Sequence, residues 1–172
     1  MSEEKENPMK EITVEKVSLN MGIGPEPEEL KKAEAILERI SGGKPVKTKA
    51  KVRLPIWGLR PGIPIGVKVT LRNEKAEAFL KNALAAKENK LNRKSFDTSG
   101  NFGFGIQEYI DLPGTKYDPK LGIKGFDVLV TLGRPGYRVR RKKLSRQLGK
   151  KHLISRNEAM EFIEKKYAVE LE

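Results

Sequence analysis

The sequence predicts an α+β domain of the split β-α-β type, in which an antiparallel sheet carries helices on one face only, with a long hairpin loop and a basic C-terminal extension. Three observations lead there. Ile65, Val67, Val69 and Leu71 alternate with Gly66, Lys68, Thr70 and Arg72, the period of a strand with one apolar and one wet side. Two apolar stripes at helical spacing flank that strand, Leu30, Ala33, Leu37 and Ile40 before it and Ala76, Phe79, Leu80, Ala83 and Leu84 after it. The order strand, helix, hairpin, helix, strand, with one extra strand, sets the first and third strands side by side and the second at an edge.

Residues 1–10 read as a flexible polar tail. In the first strand Ile12 and Val14 fall on one parity and Val17 and Leu19 on the other, so a bulge is expected near Glu15 and Lys16. Beyond it Lys16, Ser18 and Asn20 share the polar side. Gly22, Gly24, Pro25 and Pro27 turn the chain into the first helix, which Gly42 and Gly43 stop. Val46, Thr48, Ala50 and Val52 then alternate with Lys47, Lys49, Lys51 and Arg53, predicting a second strand with an apolar side and a cationic side. The stretch LPIWGLRPGIP is too rich in Pro and Gly to continue either strand and reads as a stiff hairpin tip. Asn73 is expected to cap the second helix, which frays near Asn89. Phe102, Phe104 and Ile106 alternate with glycines as a strand, and Phe126, Val128, Val130 and Leu132 form the last one. An α+β domain over 11–132 is followed by an extension over 133–172. This is an irregular basic arm and then a short helix, marked by a capping box from Ser155 to Glu158 and carrying Met160, Ile163 and Tyr167.

Charge narrows the partner. The chain has 172 residues, 35 basic and 23 acidic, for a net charge of +12. Ser41 to Arg72 holds eight basic residues and no acid, and Val128 to Asn157 holds ten and no acid. More than half of the cations thus sit in two acid-free tracts, a directed field that suits a polyanion. With no Cys there is no disulfide framework, thiolate nucleophile or thiolate-bound zinc. No apolar run is long enough for a membrane span, and the acidic start is unlike a signal peptide, so a cytoplasmic protein without a membrane partner is expected. His152, the single histidine, has no second metal ligand or nearby carboxylate before Glu158, which argues against catalysis, a metal or any other cofactor.

The candidate RNA-binding residues follow from parity. Lys16, Ser18, Asn20, Lys68, Thr70 and Arg72 are expected on the sheet face without helices, joined by the edge cations Lys44, Lys47, Lys49, Lys51 and Arg53. Arg60 and Trp57 lie on the loop, and Arg138, Arg140, Arg141, Lys142 and Lys143 on the arm. Each cation that reaches a phosphate releases counterions without reading sequence. Ser18, Asn20 and Thr70 would add hydrogen bonds to base edges or 2′-hydroxyls. Edge lysines also serve simply to block strand pairing, and this competes for Lys47, Lys49 and Lys51. A tip tryptophan either stacks on a nucleotide or folds back over the sheet edge, and both readings stay open for Trp57. The glycines of GNFGFG have the wrong spacing for a dinucleotide loop and mark a bend or close packing, with Phe102 and Phe104 in the core. Two rival functions compete. A tRNA-binding RNA-modifying enzyme, or its accessory subunit, needs an acid or nucleophile beside the cations, and a membrane adaptor needs a cationic amphipathic helix.

The strings LNMGIG from Leu19, SGGKPVKTKAK from Ser41, GIPIGVKVTLR from Gly62, KSFDTSGNFGFGI from Lys94 and KGFDVLVTL from Lys124 resemble, in order, blocks of the large-subunit ribosomal protein L5 family over about residues 12–132. The tail, with RPGYRVRR, KKHLISRNEAMEF and KKY, resembles the archaeal and eukaryotic branch. The resemblance implies a sheet that contacts 5S rRNA in the central protuberance through the positions of Lys16, Asn20 and Thr70. It implies a region from Lys47 to Pro61 facing P-site tRNA and 23S rRNA, and neighbouring ribosomal proteins that include the small-subunit head. Gly43 stands where many relatives have Gln, which removes one side-chain contact. The N-terminal helix of bacterial members is replaced by a short acidic tail, and the basic arm from Arg134 is expected to add rRNA contacts.

Overall fold

The computed structural model describes residues 7–172, so most of the expected N-terminal tail lies outside the described residues. Seven strands follow in chain order: β1 (Thr13–Gly22), β2 (Val46–Lys49), β3 (Pro64–Leu71), β4 (Lys90–Leu91), β5 (Phe102–Ile106), β6 (Phe126–Gly133) and β7 (Glu170–Leu171). Three α-helices accompany them, α1 (Pro27–Ser41), α2 (Asn73–Ala86) and α3 (Arg156–Tyr167). The main sheet has the order β2-β3-β1-β6-β5 with every pair antiparallel, and β4 and β7 form a small parallel pair. The split β-α-β plan is therefore present, with β1 and β3 as central neighbours and β2 at the edge.

One parity of each central strand makes the core. Val17, Leu19, Met21, Val67, Val69, Leu71, Val128, Val130 and Leu132 are buried, as are Phe102, Phe104 and Ile106 of β5. Over them, α1 packs against β3 and α2 against β1. Helix α2 buries Ala76, Phe79, Leu80, Ala83 and Leu84, the predicted stripe. Helix α1 buries Leu30, Ala33, Ile36 and Leu37, so Ile36 takes the place expected for Ile40, which packs at the margin. Each large apolar side chain withdrawn from water in this way contributes about 1.5–3 kcal/mol. The phase slip in β1 is a real bulge: Val14 stands opposite Leu132 but Lys16 stands opposite Thr131, leaving Glu15 as the extra residue.

Two local expectations are corrected. Asn73 is the first residue of α2 and not its cap; Arg72 holds the cap position and its side chain makes no capping bond. The second strand stops at Lys49 instead of reaching Arg53, and its faces are reversed. Val46 stands opposite Lys68 and Lys47 opposite Val67, so it is Lys47 that turns to the helix side, where it pairs with Glu34 of α1 at 3.2 Å. A second register shift brings Lys49 opposite Pro64. The physical reason is the edge position: α1 covers β3, and at the margin a valine finds no apolar cover on either side. Val46 is 57% exposed and Val52 65%, and only Ala50 of that parity is buried.

The C-terminal part shares the same core, through Ile154, Ala159, Ile163 and Val169. Ser155 and Glu158 form the expected capping box at the start of α3. Between β6 and α3 the basic arm is tied at its base by Arg134, which is only 8% exposed. Its guanidinium donates to the carbonyls of Lys10, His152 and Leu153 and to the carboxylate of Glu158 at 2.9 Å. Glu158 is thereby held below the usual carboxylate range, first by the backbone N–H of Ser155 and then by Arg134. Further round, Glu29 of α1 is bonded by Lys124 and Lys32, and its pKa falls from 4.5 to about 2.

Replacing Arg134 with Ala strands those carbonyls and Glu158, and should lower unfolding stability by about 2–4 kcal/mol. A fall in the urea midpoint at constant slope would show it, and an unchanged midpoint would deny Arg134 its structural role. Both carboxyl groups have folded values below their unfolded ones, so what they add to stability is present above the ordinary value of 4.5 and is lost as pH falls through the folded values, which for Glu29 is about 2. Glu29→Gln should flatten that part of the stability profile by lowering the neutral-pH end, while leaving the acid end nearly unchanged.

Candidate nucleic-acid interface

The parity that fills the core leaves the other side of the sheet without a helix among the described residues. Register places Ser18 opposite Thr70 and Asn20 opposite Lys68 across β1 and β3, with Lys16 and Arg72 just beyond at the bulge end. Lys68, Thr70 and Arg72 are exposed, and Lys16, Ser18 and Asn20 are half-buried between their neighbours. Directly opposed residues of an antiparallel pair have Cβ atoms about 4.5–5.5 Å apart, so these groups form a short two-rung ladder. The internal side-chain hydrogen bonds of the described residues involve none of Ser18, Asn20 and Thr70; within the main sheet Thr13 Oγ1 donates to the Gly133 carbonyl at the far end of β1. The amide of Asn20 and the hydroxyls of Ser18 and Thr70 therefore remain free to take a ligand.

The face is less uniform than its sequence tracts. Asp127 of β6 stands opposite Asn20, and Leu129, about half exposed, stands opposite Ser18. Gly103 of β5 makes room for Leu129: a Cβ there would lie 2.7 Å from its Cδ2. Cations and small polar groups thus occupy the half made by β3 and β1, while β6 adds Leu129, Asp127 and, opposite Lys16, Thr131. Asp127, Leu129 and Glu15 were missed as part of the site, although counting outward parity along FDVLVTL exposes the first two. Among the described residues Lys16 and Lys68 make no ion pair, whereas Arg72 and Arg141 both meet Glu15.

The edge cations do not all join this face. Lys47 lies on the helix side, Lys49 returns toward the Lys68 side after the register shift, and Lys44, Lys51 and Arg53 stand exposed before and after β2. The loop beyond is a continued hairpin in its hydrogen bonds. Ala50 N–H donates to Ile63 at 2.8 Å, Gly62 N–H to Ala50 at 3.0 Å, and Leu54 and Leu59 exchange bonds of 3.0 Å. This clasp holds a single 3-10 turn, Pro55–Trp57, at the tip. Trp57 does not fold back: it is 69% exposed and Ile56 beside it 93%. Arg60 is exposed on the returning limb. On the arm, Arg138, Arg140, Arg141, Lys142 and Lys143 are all exposed, the first three within a 3-10 turn, Tyr137–Arg141. His152 belongs to the arm's scaffold, its Nε2 lying 2.9 Å from the Pro135 carbonyl oxygen. No helix among the described residues is long and apolar enough to cross a membrane.

An open α+β sheet with helices on one side, cations and hydrogen-bonding groups on the other, and a basic arm alongside defines an RNA-binding sheet protein. Residues 7–60 match the family model described as Ribosomal protein L5, and residues 64–162 match a second model, described as the C-terminus of the same ribosomal family. The chain belongs to the ribosomal protein L5 family. It is 50% identical over 168 residues to the large ribosomal subunit protein uL5 of Nanoarchaeum equitans, covering 96% of this chain and 99% of that one. It is 48% identical over 170 residues to that of Nitrosopumilus maritimus, covering 98% of each. To that of Sulfurisphaera tokodaii it is 48% identical, covering 95% of this chain and 93% of that one. It is a ribosomal protein of the cytoplasmic ribosome and not an enzyme, and the archaeal likeness of its tail agrees with these relatives.

Because Trp57 stands clear of the fold and is the only tryptophan, its fluorescence should report a water-exposed indole in the free protein. Trp57→Ala should change stability by no more than about 0.5 kcal/mol. A blue-shifted emission, or a larger loss of stability, would show that the tip folds back on the sheet.

Proposed function

We propose that this protein is a structural component of the large ribosomal subunit that binds 5S rRNA through the bare face of its sheet. In this reading Lys16, Lys68 and Arg72 meet phosphates, and Ser18, Asn20 and Thr70 bond base edges or 2′-hydroxyls. The loop from residue 47 to 61, with Lys49, Lys51, Arg53, Arg60 and Trp57, faces P-site tRNA and 23S rRNA. The exposed indole supplies a stacking surface there. The arm residues Arg138, Arg140, Arg141, Lys142 and Lys143 add contacts to rRNA, and neighbouring ribosomal proteins, including those of the small-subunit head, complete the surroundings.

The observation that carries the reading is the Ser18–Thr70 and Asn20–Lys68 ladder. It lies in the middle of a sheet face that no helix of the described residues covers, in a chain of the L5 family. A purely electrostatic surface would need only the cations. Small neutral donors and acceptors at fixed spacing between them are what distinguishes one RNA from another.

The purified protein should bind 5S rRNA much more tightly than an unrelated RNA of the same length, with affinity falling steeply as salt rises. Asn20→Ala and Thr70→Ala should each weaken 5S rRNA binding about three- to tenfold without altering the melting curve, as expected for loss of one hydrogen bond. Equal affinity for both RNAs, or no loss in either variant, would remove the assignment.

A further inference from the structure

Glu15 is an acid in the wrong place for a surface that attracts a polyanion, and three separate features put it there. The bulge in β1 inserts it between Val14 and Lys16, so both Glu15 and Lys16 are available to the wet side while Val14 and Val17 stay in the core. Gly133 then gives it a seat: a Cβ at that position would lie 3.2 Å from Glu15 Oε2 and 3.4 Å from its Cβ. Finally, a single carboxylate oxygen, Oε1, receives two guanidinium groups from distant parts of the chain. Arg141 of the arm reaches it at 2.6 Å and Arg72, at the end of β3, at 3.9 Å.

We propose that Glu15 is the brace of a phosphate clamp, holding the guanidinium groups of Arg72 and Arg141 side by side so that one backbone phosphate of the RNA bridges them. The inference rests on the RNA-binding reading above and makes Glu15 a positioning residue within it. Two guanidinium groups brought together without a counter-charge repel each other, and Arg141 sits on an exposed arm where, among the described residues, Glu15 is its one ion-pair partner. A guanidinium carries five N–H donors in a rigid fork, so an ion pair with one carboxylate oxygen leaves most of those donors available to a phosphate. With Lys16 beside them the corner keeps an excess of two positive charges over the one carboxylate, enough to hold a phosphate monoanion. An exposed ion pair by itself adds little to stability, so the arrangement is better accounted for by what it presents than by what it holds together.

The sign of one substitution separates this from an ordinary surface charge. Glu15→Gln in the full-length protein adds one unit of positive charge, and if Glu15 merely repels RNA the affinity for every RNA rises. For a brace, affinity for 5S rRNA falls, by about tenfold for a lost charge-assisted contact, while affinity for an unrelated RNA of equal length does not fall. Arg141→Gln should likewise cost about tenfold in the native background but less than about twofold when Glu15 is already Gln. A parallel rise for both RNAs in Glu15→Gln, or additive losses in the double variant, would overturn the clamp. Should Glu15→Gln fail to fold, Arg141→Lys keeps the net charge but loses the guanidinium fork, and undiminished 5S rRNA binding in that variant would overturn it too. If the native protein itself does not prefer 5S rRNA, the choice of RNA is what fails. The clamp is then judged by the same signs on whichever RNA the protein binds.

Discussion

Burial on one side only is the constraint from which the rest of this molecule follows. Two helices laid on the same face of an antiparallel sheet withdraw one parity of β1, β3 and β6 from water. The other parity is released from the packing demand of that core, though Gly103 still has to make room for Leu129. An exposed side chain there, such as Lys68 or Thr70, can be chosen for what it binds, because changing it leaves the buried parity in place. That freedom explains how lysine, arginine, serine, asparagine and threonine can stand in the middle of a sheet next to strands whose alternate residues are almost wholly buried. It also explains why the same face can carry Leu129 and Asp127 without disturbing the fold.

The one-sidedness decides how far the amino-acid sequence can be read. Where a strand has a helix above it, a slip of one residue would turn its whole apolar set to water, so register is strongly specified and alternation is a reliable guide. The outward placement of Lys16, Ser18, Asn20, Lys68, Thr70 and Arg72 was legible for that reason, as was the bulge in β1, since Val14 and Val17 can both be buried only if one residue is skipped. The edge strand is the opposite case. At β2 the helix layer gives out, Val46 gains little by facing either way, and pairing with β3 sets the phase instead of burial. An alternation of valine and lysine therefore reads as a two-faced strand in the sequence and resolves into a short one of inverted phase. Arg134 shows a different limit. Within an acid-free tract it is one cation among ten, and only tertiary structure singles it out, by gathering three carbonyls and Glu158 around its guanidinium. Lys47 is another such case, since its partner Glu34 lies on a helix.

The cations consequently divide into those that organise and those that present. Arg134 closes the base of the arm, and Arg141 touches the sheet corner through Glu15, so the segment between β6 and α3 is anchored at more than one point despite having little regular structure. The hairpin loop is anchored in the same spirit by backbone bonds, first at Ala50 and Ile63 and again at Leu54 and Leu59, which leaves Ile56 and Trp57 projecting on a short, fixed turn. Preorganisation of this kind lowers the entropy lost on binding when side chains and loops are ordered, a cost of about 0.5–1.5 kcal/mol for each immobilised long side chain. Charge alone draws a polyanion to any part of the surface, but it does not choose among RNAs. Selectivity has to come from groups whose spacing survives in the absence of the ligand, and here those are the ladder held by the β1–β3 register and the corner held by Glu15.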